Sequence, residues 1–285
     1  PGGAGQGVNA GRAFDTDHDE INLNLFQLYL DKLPEDEGEA GFRLDFAFGE
    51  DSGLIAMDPL FDTVGDDANI YQLYISYIAA VGNGLTVDLG RFSTWHGYEA
   101  IESPLNDNFS RSFLFGFAQP FTHTGIRLTY PINDMWEVSG GMTQGWDVVE
   151  DDNDGFTFHG AVRWMPLETV YIQNSISYAP EGPMNNDDNT LLYDLVATWE
   201  VTEDWTLGLN FDYQDVEMTG AADGDMMGVG GYARYDVSED MYVAGRFEWI
   251  EDDGAIAAMA SPSGDNELWE ATLTLGYTWT EGLLT

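Results

Sequence analysis

Period-two alternation of oily and polar side chains runs through nearly the whole chain, and it constrains the fold more than any other feature. Phe42, Leu44, Phe46 and Phe48 alternate with Arg43, Asp45 and Ala47. Trp205, Leu207, Leu209, Phe211 and Tyr213 alternate with Thr206, Gly208, Asn210 and Asp212, and Trp269, Ala271, Leu273, Leu275, Tyr277 and Trp279 form a third such set. Successive side chains of a strand point to opposite faces, so each segment has one apolar and one polar face. Thirteen segments qualify, at about 21–31, 39–49, 69–81, 84–94, 124–131, 134–145, 156–165, 169–178, 191–200, 204–214, 226–236, 240–250 and 267–279. Helical periodicity is nearly absent.

The connections alternate as well. Short ones, such as Gly82-Asn83-Gly84, Pro131-Ile132-Asn133-Asp134, Met165-Pro166-Leu167-Glu168, Val201-Thr202-Glu203-Asp204 and Val237-Ser238-Glu239-Asp240, are tight turns. Long ones span about 50–68, 95–123, 146–155, 179–190, 215–225 and 251–266. Short turns at one end and long acidic loops at the other describe an up-and-down barrel of the outer-membrane kind. A soluble sandwich has no reason to sort its connections this way. The chain lacks any run near the ~18 apolar residues of a membrane helix, but a transmembrane β-barrel needs only ~10-residue alternating strands. We read all-β architecture: residues 1–285 as one transmembrane antiparallel up-and-down barrel domain.

Aromatic placement agrees. Trp136, Trp164, Trp199, Trp205 and Trp279, with Tyr235 and Tyr242, lie near short turns; Trp249 and Trp269, with Trp146, Phe156 and Tyr178, lie near long loops. Aromatics at both strand ends with aliphatics between them form two interfacial girdles, whereas a sandwich core would put them mid-strand.

Strand parity gives an expectation about the ends. If short turns are periplasmic, the first and last segments both run downward, whereas bacterial barrels normally have an even strand number. Residues 1–20 read as an outer loop, and Leu283-Leu284-Thr285 as the start of an upward strand after a turn at 280–282. The chain opens at Pro1 without Met or signal peptide and lacks a final aromatic residue. We therefore expect truncation at both ends and about sixteen strands in the intact barrel, a size that leaves an aqueous channel.

Composition narrows the function classes. Of 285 residues, 51 are acidic and 9 basic, a net charge of −42, so nucleic acid is excluded as a partner. The absence of cysteine excludes disulfides, thiolate metal sites and a cysteine nucleophile. A hydrophobic share of 44% argues against disorder. The acidity has two readings, adaptation to high salt as the larger cause and attraction of cations to a pore. The scarce arginines are more telling. Arg43, Arg127, Arg163, Arg234 and Arg246 fall mid-strand on the polar phase, which Asp45, Asp88, Glu137, His159, Asp194, Asp212, Glu248 and Glu270 share. Arginine in hydrocarbon costs ~2–4 kcal/mol at the midplane, so these residues line the lumen. There they either set a transverse field as opposed rows or brace the wall as cross-strand pairs; the two roles are compatible.

Residues 91–125 are too long and too aromatic for a solvated loop, and Phe109 to Phe121 needs burial. Folding into the barrel mouth would bury it and set the narrowest point. Trp95, His96, Tyr98, Glu99, Glu102, Asn106, Asn108, Arg111 and His123 are placed there; the plainer reading is a hairpin packed over the rim. Gly90-Arg91-Phe92, Gly97-Tyr98-Glu99, Pro104, Asn106 to Ser110 and Gln119-Pro120-Phe121-Thr122-His123-Thr124-Gly125 give this block its character. With Gly145-Trp146-Asp147 and Gly41-Phe42-Arg43 to Phe48-Gly49-Glu50-Asp51, it resembles the OmpL-like β-barrel porin family over most of the chain. The resemblance implies an outer-membrane barrel with porin activity and supplies no catalytic or substrate residues. The flanking strands are missing and the acidity is extreme.

Weaker signals follow. Asp151-Asp152-Asn153-Asp154-Gly155 and Asn185-Asn186-Asp187-Asp188-Asn189 allow weak Ca²⁺ or Mg²⁺ binding but lack the EF-hand spacing, and read first as solvated loops. His18, His96, His123 and His159 show no paired metal spacing, so no metal site and no cofactor are expected. Ser110 and Ser112 near His96 and His123 permit a nucleophile–base pair, but no nucleophile elbow or triad order supports it; no catalytic residue and no enzyme activity are expected.

The expected function is passive diffusion of small hydrophilic solutes or ions across the bacterial outer membrane, with cation preference read from net charge. Membrane lipid or lipopolysaccharide is the expected surround, and a homo-oligomer or an outer-membrane partner protein is compatible. Two other classes stay open: a barrel acting as scaffold or sheath for a partner, and a soluble salt-adapted protein that binds carbohydrate.

Overall fold

In the computed structural model, which describes residues 13–14, 22–55, 68–150, 153–182, 185–219, 223–256, 265–280 and 283–284, one antiparallel sheet contains all the strands. They are β1 (Phe26–Lys32), β2 (Ala40–Phe48), β3 (Ala68–Ala79), β4 (Leu85–Ser93), β5 (Thr122–Asn133), β6 (Trp136–Thr143) and β7 (Thr157–Leu167). β8 (Val170–Gly182), β9 (Asn185–Glu200), β10 (Trp205–Val216), β11 (Gly224–Ser238), β12 (Met241–Asp253), β13 (Asp265–Thr280) and the two-residue β14 (Leu283–Leu284) complete it. Each pairs with its sequence neighbours, an up-and-down order. The thirteen long strands are those that alternation predicts, and β14 falls on the expected Leu283–Leu284 segment. Of the expected outer loop 1–20, only Ala13 and Phe14 lie among the described residues.

Strand faces divide as the pattern requires. In β12, Tyr242, Ala244, Arg246, Glu248, Ile250 and Asp252 are buried on one face, while Phe247 projects from the other. In β10, Asn210, Asp212 and Gln214 are buried and Trp205, Leu207 and Leu209 exposed. The exposed face is thus the oily one, an inversion that only lipid stabilises. Trp136, Trp164, Trp199, Trp205, Trp269 and Trp279 all project from it, whereas Trp249 is half-buried. Trp136 stacks on its ladder partner Trp164 at 5.3 Å between ring centres, and Trp249 meets Trp269 at 6.1 Å. Trp269 and Trp279 stand ten residues apart on β13. That is about 34 Å of strand at ~3.4 Å per residue, which a tilt of ~45° reduces to about 24 Å, the height of the apolar band of such barrels.

Two expectations change. The segment 179–190, expected as a long loop, is mostly ladder: Ala179 pairs with Thr190, Pro180 with Asn189 and Gly182 with Asn185. Beyond the lipid band neither face need be apolar, so alternation stops while backbone pairing continues. The barrel interior, expected to carry arginines and carboxylates around water, also holds two apolar clusters. Ile55, at the end of a short helix α1 (Asp51–Ile55), packs with Ala47, Tyr71, Ile101, Phe115, Phe121 and Phe14. Leu114 and Ala118 pack with Met226, Ile250 and Ile256. The loop between β4 and β5 supplies Ile101, Leu114, Phe115, Ala118 and Phe121 to these clusters, and full burial of a large apolar side chain contributes about 1.5–3 kcal/mol.

Leu273, 80% exposed, projects from the apolar face near the middle of that band. Leu273→Arg is expected to lower folding stability in lipid vesicles by about 2–4 kcal/mol. Asp204→Arg, in a short turn, should change it by less than about 0.5 kcal/mol. Denaturant titration of the two variants against the parent chain checks both values.

A loop folded into the barrel

The segment 94–121 leaves the end of β4 and turns to the inner face of the sheet. Its Glu102 accepts hydrogen bonds from Gln27 on β1 and Tyr71 on β3, at 3.0 and 2.8 Å. Its Trp95 carbonyl accepts from Gln173 on β8 at 2.6 Å, and its Tyr98 N–H donates to Asn210 on β10 at 3.1 Å. Asn108 accepts from Thr274 on β13 at 2.9 Å, and the Asp107 carbonyl accepts from Tyr242 on β12 at 3.2 Å. One segment touches strands at both ends of the sheet, so the sheet curls around it. The segment thus lies against the inner face of the sheet, bonded to strands from β1 to β13.

Buried charge holds it there. Arg246 donates to Glu270 at 2.9 Å, to Glu99 at 2.6 Å and to the carbonyls of Ser110 and Arg111 at 2.6 and 3.1 Å. Its guanidinium is thereby shared between wall and loop. Glu248 accepts the N–H groups of Phe113 (2.7 Å) and Leu114 (3.3 Å), which open a single π-helical turn, Leu114–Ala118. Those donors have no partner within the turn. Asp212 takes Gln119 at 3.1 Å, while Asn210 donates to Asp194 at 2.8 Å. Arg234 pairs with loop Asp107 at 2.8 Å and with Asp236 of its own strand at 2.7 Å.

The remaining wall arginines pair locally. Arg127 meets Asp88 directly across the ladder at 2.8 Å, Arg163 meets Glu137 likewise, and Arg43 meets Asp45 on the same strand at 2.8 Å. Asp45, Asp88, His159, Asp194, Asp212, Arg246, Glu248 and Glu270 are buried, and Arg43, Arg127, Glu137, Arg163 and Arg234 are partly buried. The geometry favours the bracing role among them: each arginine finds its acid beside it or on the loop, because a neighbour at 2.8 Å outcompetes one across the lumen.

The loop residues serve several purposes. Asn106 clasps the Ala100 backbone at both ends, donating to its carbonyl and accepting from its N–H at 2.8 Å each. Arg111, expected at the passage, is buried and donates to the carbonyls of Ala100, Ile101 and Phe109 at 3.0, 2.5 and 2.9 Å. It is an internal staple, because those carbonyls lie in a turn with no ladder partner. Ser110 and Ser112 bond Arg246, Glu99 and the Phe115 N–H. The hydroxyls on His96 and His123 are those of Ser175 and Thr94. Phe109, expected to be buried, is 57% exposed. Tyr98 stacks on Tyr232 at 4.0 Å and lies against Gly208, where any Cβ would come within 2.4 Å of its ring.

The short sequence blocks acquire reasons. Asp147 of Gly145-Trp146-Asp147 adopts a left-handed backbone (φ +58°) and accepts the N–H groups of Phe121 and Thr122 at 2.9 and 2.7 Å. It pins the point where the loop rejoins the wall. Arg91 donates to Thr122 Oγ1 there at 2.9 Å. Burial pushes the Asp147 carboxyl up to about 6.

Two clefts lie between loop and wall, of about 360 and 330 Å³. Both are bordered by Gly97 and Tyr171. Among the described residues, the charged groups lining them are Glu99 and Glu102 in the first and Asp107 in the second, with no arginine or lysine.

A feature not anticipated from spacing is the meeting of His96, His123 and His159, all buried. Trp95 stacks on His159 at 4.6 Å, and burial keeps the His96 imidazole neutral, down to about 3. Ladder register relates two of them, since His123 on β5 and His159 on β7 share the inward phase two strands apart, while His96 arrives from the loop. His18, Asp151 and Asp152, and the side chains of Asn185 and Asn186, lie outside the described residues. Asp188 and Asn189 bond to Thr219 and Glu217 at 2.7 and 2.9 Å.

A lipid-facing barrel with a long loop folded into its lumen defines the porin class of outer-membrane proteins. Residues 2–285 match the family described as "Putative beta-barrel porin-2, OmpL-like", and the chain belongs to that family. Among solved structures it resembles a loop-deletion mutant of OmpT, an outer membrane protein of Vibrio cholerae. There the TM-score is 0.61 at 10% identity, over 91% of this chain and 82% of that one. It also resembles the outer membrane channel DcaP of Acinetobacter baumannii, with a TM-score of 0.62 at 10% identity over 89% and 74% of the two chains. At such identity the likeness shows the fold. Among curated proteins none matches the chain in sequence. The chain is thus an outer-membrane β-barrel of a porin family, a class without enzymatic activity.

Two outcomes are expected at this site. Arg246→Ala strands Glu99 and Glu270 without their cation and should cost about 3–5 kcal/mol. Asp236→Ala, at the exposed partner of Arg234, should cost under about 1 kcal/mol; equilibrium unfolding compares them. Asp147 has a folded-state value (about 6) above its ordinary 3.8, so the stability it contributes is full below 3.8 and lost as pH rises through 6. Asp147→Asn should flatten the stability profile between pH 4 and 6.5, read from denaturant midpoints.

Proposed function

We propose that this protein is a channel for passive diffusion of small hydrophilic solutes and ions, narrowed by loop 94–121 and preferring cations. The observation that carries the preference is the lining of the two clefts. Glu99, Glu102 and Asp107 are their charged groups, while Arg246 and Arg234, which pair with two of them, lie outside the linings. A narrow path walled by carboxylates raises the local concentration of cations and repels anions. The net charge of −42 acts in the same direction at the mouth. The loop sets the bore because charges that would otherwise need open water are spent on anchoring it.

In planar bilayers under a salt gradient, the reversal potential should fall on the cation side. Glu102→Gln, which keeps a hydrogen-bond acceptor for Tyr71 and Gln27, should shift it toward zero without abolishing conductance. Anion selectivity would overturn the preference. A folded protein that never conducts and copurifies with a stoichiometric partner would overturn the channel in favour of a scaffold.

A further inference from the structure

The three buried histidines lie where the root of the inward loop meets the wall. One ring nitrogen from each comes within 4.8 Å of the others. Their hydrogen bonds fix which nitrogens these are. Ser175 Oγ donates to Asp194 at 3.0 Å, so it accepts from His96 Nδ1 at 2.8 Å and leaves His96 Nε2 with the lone pair. The Gly145 carbonyl can only accept, so His123 Nδ1, 3.3 Å away, carries the proton, and Nε2 carries a lone pair that accepts from Thr94 Oγ1 at 3.0 Å and that an ion would take over from this hydroxyl. His159 Nε2 is bonded to Thr143 Oγ1 at 2.8 Å. His96 Nε2 and His159 Nδ1 have no hydrogen-bond partner among the described residues, though both are buried. Ser177, directly across the ladder from His159, is likewise buried and unpartnered.

Burying a polar atom without a partner forfeits its hydration with nothing in return, and two such atoms in one cluster need a reason. We propose that His96, His123 and His159 form a binding site for a divalent transition-metal ion of the zinc class, which ties the root of the inward loop to β5 and β7. Neutral imidazole is a preferred ligand of such ions, whereas Ca²⁺ and Mg²⁺ prefer oxygen. Each ring already has an oxygen partner on its other nitrogen, the arrangement that orients histidine ligands toward a metal. Bonds of about 2.0–2.1 Å at tetrahedral angles put ligand nitrogens about 3.3 Å apart, so a shift of roughly an ångström in the rings closes the site. Three protein ligands leave a fourth position for water. The 360 Å³ cleft reaches His96 and carries Glu99 and Glu102, a route by which a cation arrives. The site does not depend on the channel reading, since a scaffold barrel would need its loop tied as well.

The test uses the folded chain in detergent, stripped by a chelator, reloaded with zinc and washed in excess Mg²⁺ to clear surface carboxylates. One zinc per chain is expected by elemental mass spectrometry. His96→Gln and His159→Gln, with folding verified by heat-modifiable gel mobility, should each weaken zinc binding at least about tenfold, and His18→Gln should not. Cobalt in place of zinc should give the intense visible bands of a four-coordinate site. Zinc that washes out under Mg²⁺, or that both variants retain undiminished, would overturn the proposal. If a variant fails to fold, the cobalt spectrum of the unaltered chain decides, and the pale spectrum of six oxygen ligands counts against the site.

Discussion

Hydrocarbon offers no partner for a peptide N–H or C=O, and the architecture follows from that one constraint. Every spanning segment must pair its backbone with a neighbour, so the chain is a continuous ladder in sequence order. The outer face must be oily along the same length, so leucine, isoleucine and tryptophan project where a soluble protein would place charge. With apolar side chains committed outward across the lipid band, the mid-strand ionic residues are forced inward, and charges such as Glu251 and Glu267 reach the outer face only near strand ends. The lumen inherits the arginines and carboxylates as a consequence of lipid outside.

What those charges do is settled by distance. A carboxylate at 2.8 Å on an adjacent strand binds an arginine far more strongly than one across the bore, so the wall charges neutralise one another locally. The exceptions are the groups whose partners lie on the inward loop. Arg246 with Glu99, Arg234 with Asp107 and Glu248 with the Phe113 and Leu114 N–H groups convert the lumen wall into a socket. Apolar clusters around Phe115, Phe121 and Leu114 complete the seating. The interior is therefore part core and part passage.

Loop position also depends on what the wall omits. Gly208 leaves the space that Tyr98 fills, and Gly141 leaves the space for Trp95, whose ring would lie 2.6 Å from a Cβ there. Trp95 in turn covers His159, so one missing side chain on β6 helps shape the histidine cluster. Small residues in a strand usually mark close approach of another part of the chain. Here they record the loop's path across the wall.

The sequence by itself determined the wall. Alternation sets the strands, since a period of two leaves no other way to bury or expose one face; connection lengths set the up-and-down order; and tryptophans mark the ends of the lipid band. It determined as well that 94–121 must leave solvent, because so many aromatic rings cannot stay in water. Tertiary structure alone decided where that loop sits and what each of its groups touches. Arg111 looked like a pore charge and is an internal staple. His96, His123 and His159 looked unrelated at separations of 27 and 36 residues and meet at one point. Strand periodicity is a local property, readable along the chain. Contacts of a loop inside a barrel depend on the curvature and register of the whole sheet, and these exist only once every strand is paired.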